Sequence, residues 1–347
     1  MMECCSIRKA YLARTKNEVT WANCSSGGVF WELVNHVMAR GGVCYGAKYN
    51  DDFSVSHGRA VELHEAERFR GSKYVQSDMK SCYDNILEDL KSEKIVLFSG
   101  TPCQVAAVKK YIPAKLQGNL ILLEMLCHGV PSPRFFKDYI NLQESIYHSK
   151  AMEVKFRGKK LKNSVQDMYI RFANGKEYKS FGTQDIYYNV FFHELISRVS
   201  CSECKFANMD RKADITLADY WGSPKKVPPE LKSKIGLSSV FVNSTLGEKL
   251  WSECISKTMI AVEVPIELLD QPVLHHPISK SENRDAYWAI YNKEGLLSAF
   301  EKYFGSYKRM QFMRLIKNSM NETGILDVLH KVKDAKAYLK NILICSF

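Results

Sequence analysis

Four cysteines have the spacing and setting to do chemistry. Cys201 and Cys204 form a close pair in "CSECKF", Cys103 lies in "FSGTPCQVAAV", and Cys127 ends the apolar run "NLILLEMLC". The chain holds 11 cysteines in 347 residues, so chance supplies roughly a third of such a pair and the spacing alone decides nothing. A thioredoxin-type dithiol needs a βαβ start before it, whereas this pair follows an expected helix over 185–197, so metal ligation fits better than disulfide exchange. Four thiolates around one centre mean zinc, or iron with sulfide. Zinc ribbons bring two close pairs. One close pair completed by single cysteines from distant loops leans towards a cluster.

The elements that must position these sulfurs are legible. "KIVLFSG" is a buried strand, after which Thr101 is a fit N-cap, Pro102 suits the first helical position, and Gln104 completes a capping box. Cys103 then falls in the first helical turn, at the positive end of the dipole, where an anionic sulfur is favoured. The short helix "QVAAVKKYI" and the strand "NLILLEMLC" complete a right-handed βαβ unit. If its strands are parallel neighbours, about 4.8 Å apart, Cys103 and Cys127 share the carboxyl edge where α/β proteins bind ligands. A cysteine nucleophile at Cys103, activated by its helix, is a further reading of the same turn.

Around that unit, "SSGGVFWELVNHVMARGG" reads as a bounded helix, "VCYGAKYN" and "FSVSHGRAV" as strands, and 79–91 and 133–147 as helices. From 151, "MEVKFRG" is a strand and "QDMYIRFANGKEYKSF" a hairpin turning on Asn174-Gly175. "ADITLADYWG" and "GLSSVFVN" are strands, "TLGEKLWSECISKTM" is a helix, and everything beyond 282 is helical and basic. The fold expected is α/β: a mixed sheet with flanking helices, an α+β continuation and a helical C-terminal tail. Three regions follow, 1–150, 151–281 and the tail 282–347. Cys24, Cys44, Cys82 and Cys254 fall in or beside elements and are expected to be packing residues, and Cys345 a free tail thiol. Adjacent Cys4 and Cys5 suit neither a disulfide nor a ligand loop.

Composition narrows the function. No secretory leader is legible and no stretch approaches about eighteen uncharged apolar residues, so a cytoplasmic protein is expected and a disulfide framework is not. The net charge of +11 comes without a nucleic-acid motif, so nucleic acid is not an expected partner.

Taken together, "SSGGVF", "FRGSKYVQS", "FSGTPCQVAAV", "CHGVPSP", "CSECKF" and "ADITLADYWG" resemble the coenzyme F420 hydrogenase/dehydrogenase beta-subunit family over about residues 11–280. The resemblance implies an oxidoreductase that moves electrons between a 4Fe-4S cluster and a noncovalent flavin, FAD, and in archaeal relatives on to a deazaflavin. Its ligands map onto Cys103, Cys127, Cys201 and Cys204, the same four that the spacing argument selects. Its flavin maps onto Ser25, Ser26, Gly27, Gly28 and onto Gly71, Ser72, Lys73, Tyr74. Backbone N–H groups at a helix start and the Lys73 charge suit a phosphate there, although an ordinary capped helix has the same residues. Asp219 is expected to line the isoalloxazine or simply to close a strand, and Trp221 to pack. His128 could support the cluster from behind, which few lone histidines do, and the neighbours His275 and His276 point to opposite faces.

Many bacterial relatives carry an N-terminal ferredoxin-like module, whereas only "MMECCSI" precedes the flavin-type part here, so the resemblance implies a separate, ferredoxin-like electron donor or acceptor protein. The basic tail resembles those of relatives linked to surface-polysaccharide biosynthesis. "RMQFMRLIKNSM" leaves three readings open: an anionic membrane surface with a membrane-peripheral protein, a docked partner, or packing on its own domain. The rival function is a zinc-stabilised, nonredox protein of polysaccharide assembly.

Overall fold

The computed structural model describes residues 7–161, 166–232 and 236–326, so Cys4, Cys5 and Cys345 lie outside the described residues. The chain forms two compact units that are not consecutive in sequence: Met1–Asp138 with Glu194–Arg284, and Tyr139–His193 with Asp285–Phe347.

In chain order the first run is β1 (Lys9–Thr15), α1 (Glu18–Ala22), α2 (Val29–Met38), β2 (Val43–Tyr49), β3 (Val55–Ala60), α3 (Leu63–Ala66), α4 (Cys82–Lys91), β4 (Val96–Gly100), α5 (Pro102–Tyr111) and β5 (Leu120–Met125). Helix α6 (Pro133–Tyr147) leads into β6 (Ala151–Phe156), β7 (Asp167–Phe172), β8 (Glu177–Phe181) and α7 (Ile186–Phe192). Then come β9 (Ile215–Asp219), β10 (Ser238–Val242), α8 (Thr245–Thr258) and β11 (Met259–Glu263), and three helices, α9 (Arg284–Glu294), α10 (Leu296–Phe304) and α11 (Tyr307–Glu322).

The first unit is built on an eight-stranded mixed sheet in the order β11-β1-β10-β9-β5-β4-β2-β3. Its centre is parallel: β2 pairs β4, β4 pairs β5 with Phe98 opposite Leu122, and β5 pairs β9. Alternation along each strand divides the core between the two faces. Cys44, Leu97, Ile121 and Leu123 pack with Leu33 and Val37 of α2 and Trp251 of α8. Val43, Val96, Phe98 and Leu122 pack with Ile86 and Leu90 of α4 and Val105 and Val108 of α5. A parallel sheet covered on both faces buries its strands completely, which is why "IVLF" and "LILLE" carry no alternation of polarity.

The expected class and the βαβ unit agree with this architecture. Strands β1 and β11 have no counterpart in the sequence reading. "KAYLART" is interrupted by cations and "MIAVE" is short, so neither presents a clean strand pattern until β10 pairs with β1 and β1 with β11. The α+β continuation proves to be two things: β9 and β10 join the main sheet, while β6-β7-β8 form a separate three-stranded sheet in the second unit. In that sheet Asn174 and the left-handed Gly175 make the expected turn of the β7–β8 hairpin. Asp185 caps α7 through the Tyr188 N–H at 3.0 Å and accepts from Tyr139 and Tyr178.

Candidate cofactor site at the carboxyl edge of the sheet

The parallel strands end side by side, and the candidate residues follow from them. β4 closes at Gly100, and the turn behaves as its residues dictate: Thr101 is the N-cap of α5, Pro102 opens the helix, and Gln104 completes a reciprocal capping box. This leaves Cys103 exposed in the first turn, its sulfur 3.2 Å from the Thr101 hydroxyl. Gln104 also donates to Ser77 at 2.8 Å, which ties the turn to the segment before α4. β5 closes at Met125, and Cys127 follows it, half-buried.

The segment after Cys127 links it to the close pair. The Gly129 N–H is directed at the Cys127 sulfur and the next one, from Val130, at that of Cys201. Pro131 bridges to Ser197, and the Arg198 N–H donates to the Val130 carbonyl at 3.1 Å. Burial pushes the Cys127 thiol up to about 12, the Gly129 N–H opposes this, and the charges of Cys103, Cys201 and Cys204 all add to the rise. Cys201 is raised by burial, with Cys103 and Cys204 contributing. Cys127 therefore stands within electrostatic reach of the other three sulfurs, and Cys201 within reach of Cys103 and Cys204. Among the described residues, no three His, Cys, Asp or Glu side chains form a group that could hold a single metal ion. The donor set itself fits a thiolate-bound centre: it comprises four sulfurs, two of them receiving backbone N–H groups that favour the thiolate.

A buried ion pair anchors the loop that bears the close pair, and nothing in the sequence reading anticipated it. Arg211 pairs with Glu124 of β5, and its Nη1 donates to the carbonyls of Phe206 (3.0 Å) and Asn208 (2.8 Å). Thr216 donates to Glu124 at 2.7 Å. One arginine thus fastens the stretch after Cys204 to the strand that leads into Cys127. The pairing spans 87 residues, so no local signal in the sequence marks it.

The two expected flavin segments meet. Ser72 N–H and Oγ both donate to Ser25 Oγ, at 3.0 and 3.1 Å. Gly71 is left-handed (φ 80°), and a Cβ there would meet open space, so its backbone is approachable. Gly27 and Gly28 are constrained by the sheet: a Cβ on Gly27 would lie 2.3 Å from the Ala13 carbonyl, and Gly28, the left-handed N-cap of α2, abuts Thr15. Ser26 donates to the Leu237 carbonyl at 2.6 Å. Lys73 folds back on its own loop, donating to the carbonyls of Arg70 (2.9 Å) and Gly71 (3.2 Å), and burial lowers its ammonium to about 7. Tyr74 completes this loop, half-buried. At the Ser25–Gly71–Ser72 junction the backbone of Gly71 is open, while the Ser72 N–H and hydroxyl are engaged by Ser25.

Two groups at this edge escaped the sequence reading. His57 of β3 is buried, stacked 5.3 Å from Phe98, with Nε2 3.0 Å from the Ser99 carbonyl; burial lowers it to about 4, so it stays neutral. Gln271 donates to the Asp219 carbonyl at 2.7 Å and hydrogen-bonds His128. Asp219 ends β9, and Trp221 beyond it is 57% exposed, its ring stacked 4.5 Å from His128. Trp221 is thus a surface aromatic stacked on a histidine, against the expectation of packing. His275 pairs with Asp270 and His276 with the Pro277 carbonyl, so they do not act as a pair.

Comparison with known proteins agrees with this architecture. No curated protein matches the chain. Among solved structures, a chain of the F420-reducing NiFe hydrogenase complex from Methanosarcina barkeri is similar in fold, with a TM-score of 0.52 at 16% identity, over 87% of this chain and 94% of that one. The family model for the C terminus of the coenzyme F420 hydrogenase/dehydrogenase beta subunit matches residues 93–267, which hold all four edge cysteines, the Glu124–Arg211 pair and Asp219. The chain belongs to the coenzyme F420 hydrogenase/dehydrogenase beta-subunit family, a family of oxidoreductases.

Proposed function

We propose that this chain is an electron-transferring oxidoreductase that holds a 4Fe-4S cluster through Cys103, Cys127, Cys201 and Cys204 and a noncovalent FAD at the junction of the Ser25–Gly28 and Gly71–Tyr74 loops. The observation that carries the reading is the placement of Cys103 and Cys127 just past the parallel neighbours β4 and β5, with the segment after Cys127 bridged through Pro131 to Ser197, just before the close pair. When bound, the two groups would supply one-electron transfer and hydride transfer respectively. The chain's own part is to hold and to insulate. Gly129 and Val130 N–H groups favour anionic sulfur at Cys127 and Cys201, and buried thiols release their protons only to a cation, so metal uptake should acidify the medium. Neutral His57 adds no charge beside the flavin loop, while Lys73 Nζ can exchange a proton near neutral pH. Electrons would pass to or from a separate protein, ferredoxin-like in kind, consistent with the multisubunit setting of the structural neighbour. The acceptor is a hydride carrier for which coenzyme F420, named for the relatives, is the first to try. Anaerobic purification tests this: brown protein with iron and sulfide in equal amounts and releasable FAD is expected, and colourless protein containing zinc would contradict it.

A further inference from the structure

Helix α11 is packed the wrong way round for a helix that meets only water on its outer side. It lies against the small sheet of its own unit with its polar residues inward. Arg314 is 8% exposed, its guanidinium over the Tyr178 ring at 4.6 Å and its Nη1 on the Lys179 carbonyl at 3.0 Å. Asn318 donates to the same carbonyl at 2.8 Å, Lys317 reaches Gln184 at 3.1 Å, and Asn321 is buried. Outward stand Phe312 (61% exposed), Leu315 (58%), Met313 (49%) and Ile316 (38%). Isolated surface apolar residues are ordinary, but four on one helix, with the polar face turned in, make a contiguous strip that marks an interaction surface. At the start of the same helix Lys308 and Arg309 are exposed, as is Lys302 just before it; the Glu301 carboxylate accepts from the Tyr307 N–H at 2.9 Å, and no further acidic residue occurs before Glu322.

We infer that the outward face of α11 is a membrane-surface anchor that lays Phe312, Met313, Leu315 and Ile316 into the headgroup boundary of an anionic bilayer, with Lys302, Lys308 and Arg309 on lipid phosphates. Charge complementarity selects this occupant. A bare apolar strip suits any hydrophobic partner, whereas an apolar strip rimmed by cations with no acid between them is the pattern of helices that lie in an anionic interface. The face belongs to the second unit, whereas the four edge cysteines belong to the first. Nor does α11 span the membrane: among the described residues no helix is long and apolar enough to cross one.

Vesicle flotation of the full chain tests it, using phosphatidylcholine vesicles with or without phosphatidylglycerol. The wild type should float with the anionic vesicles only, and raised salt should release it. Phe312→Gln with Ile316→Gln should lower flotation roughly tenfold or more, and Lys308→Glu with Arg309→Glu by roughly tenfold, with thermal unfolding of the lipid-free protein unchanged. Failure of the wild type to float, or flotation indifferent to the apolar pair, overturns the inference. So does a loss of lipid-free stability in Phe312→Gln, which would mean that the chain covers the face itself. A dimer that this variant converts to monomer would assign the face to a second copy instead.

Discussion

The chain uses cysteine in two ways, and the contrast shows what separates packing from chemistry. Cys44, Cys82 and Cys254 lie inside elements, at most 2% exposed, and burial alone raises the first two to about 12. Cys103 stands exposed in the first turn of α5, Cys127, Cys201 and Cys204 lie in the turns and loops beyond strand and helix ends, and none of the four is fully buried. Cys127 also reaches about 12, but three neighbouring sulfurs contribute to its shift. An equal shift therefore has two causes. A core thiol is inert because apolar packing leaves no route for a cation to reach it, whereas an edge thiol is protonated only until a cation arrives to take the place of the protons.

The largest effect should come from cutting the anchor of the edge loop. Arg211→Met leaves Glu124 buried without its partner and should cost about 3 to 5 kcal/mol in urea unfolding. Alkylation of Cys201 and Cys204 should quicken in that variant while Cys44, Cys82 and Cys254 stay protected. Equal exposure of both groups would mean that the pair supports the whole core and not the edge.

Asp89 offers a control on the core side. Burial alone would raise its carboxyl, but hydrogen bonds from Arg59 (two at 2.7 Å), Tyr45 and Lys94 prevail and hold it well below the usual range. Because the folded state depresses this group, its stabilisation is present above about pH 4, the unfolded value, and is lost as pH falls further towards the folded one. Asp89→Asn should lose about 2 to 3 kcal/mol at pH 7 and progressively less on acidification, read from unfolding at neutral pH and in acid below the unfolded value. A loss that does not change with pH would locate the effect in packing.

Smaller changes sharpen the contrast. Gly71→Ala has room for its methyl but a left-handed backbone, so about 1 to 2 kcal/mol is expected, with reduced flavin content as a second readout. Cys254→Ala should cost about 1 kcal/mol and leave metal content untouched.

The edge was legible because its signals are local. Thr101, Pro102 and Gln104 lie within one turn of chain and specify the geometry that presents Cys103, and two apolar runs joined by one helix suffice to make parallel neighbours. What stayed hidden depends on long-range pairing. Strand β1 becomes recognisable only against β10, far along the chain, and Arg211 only against Glu124. Likewise "YKRMQFMRLIK" shows cations and apolar residues together, but which side turns outward is set by the Lys179 carbonyl that Arg314 and Asn318 find. Trp221 departs from expectation for a related reason: no local signal marks a stacking partner such as His128.

The central claim, that four sulfurs serve one centre, is tested most directly by iron and sulfide content across a set of single variants prepared anaerobically. Serine at Cys103, Cys127, Cys201 or Cys204 should each remove most of both, and alanine at Cys44, Cys82 or Cys254 should leave them at the wild-type level. Full iron and sulfide in the Cys103 or Cys201 variant would contradict the account.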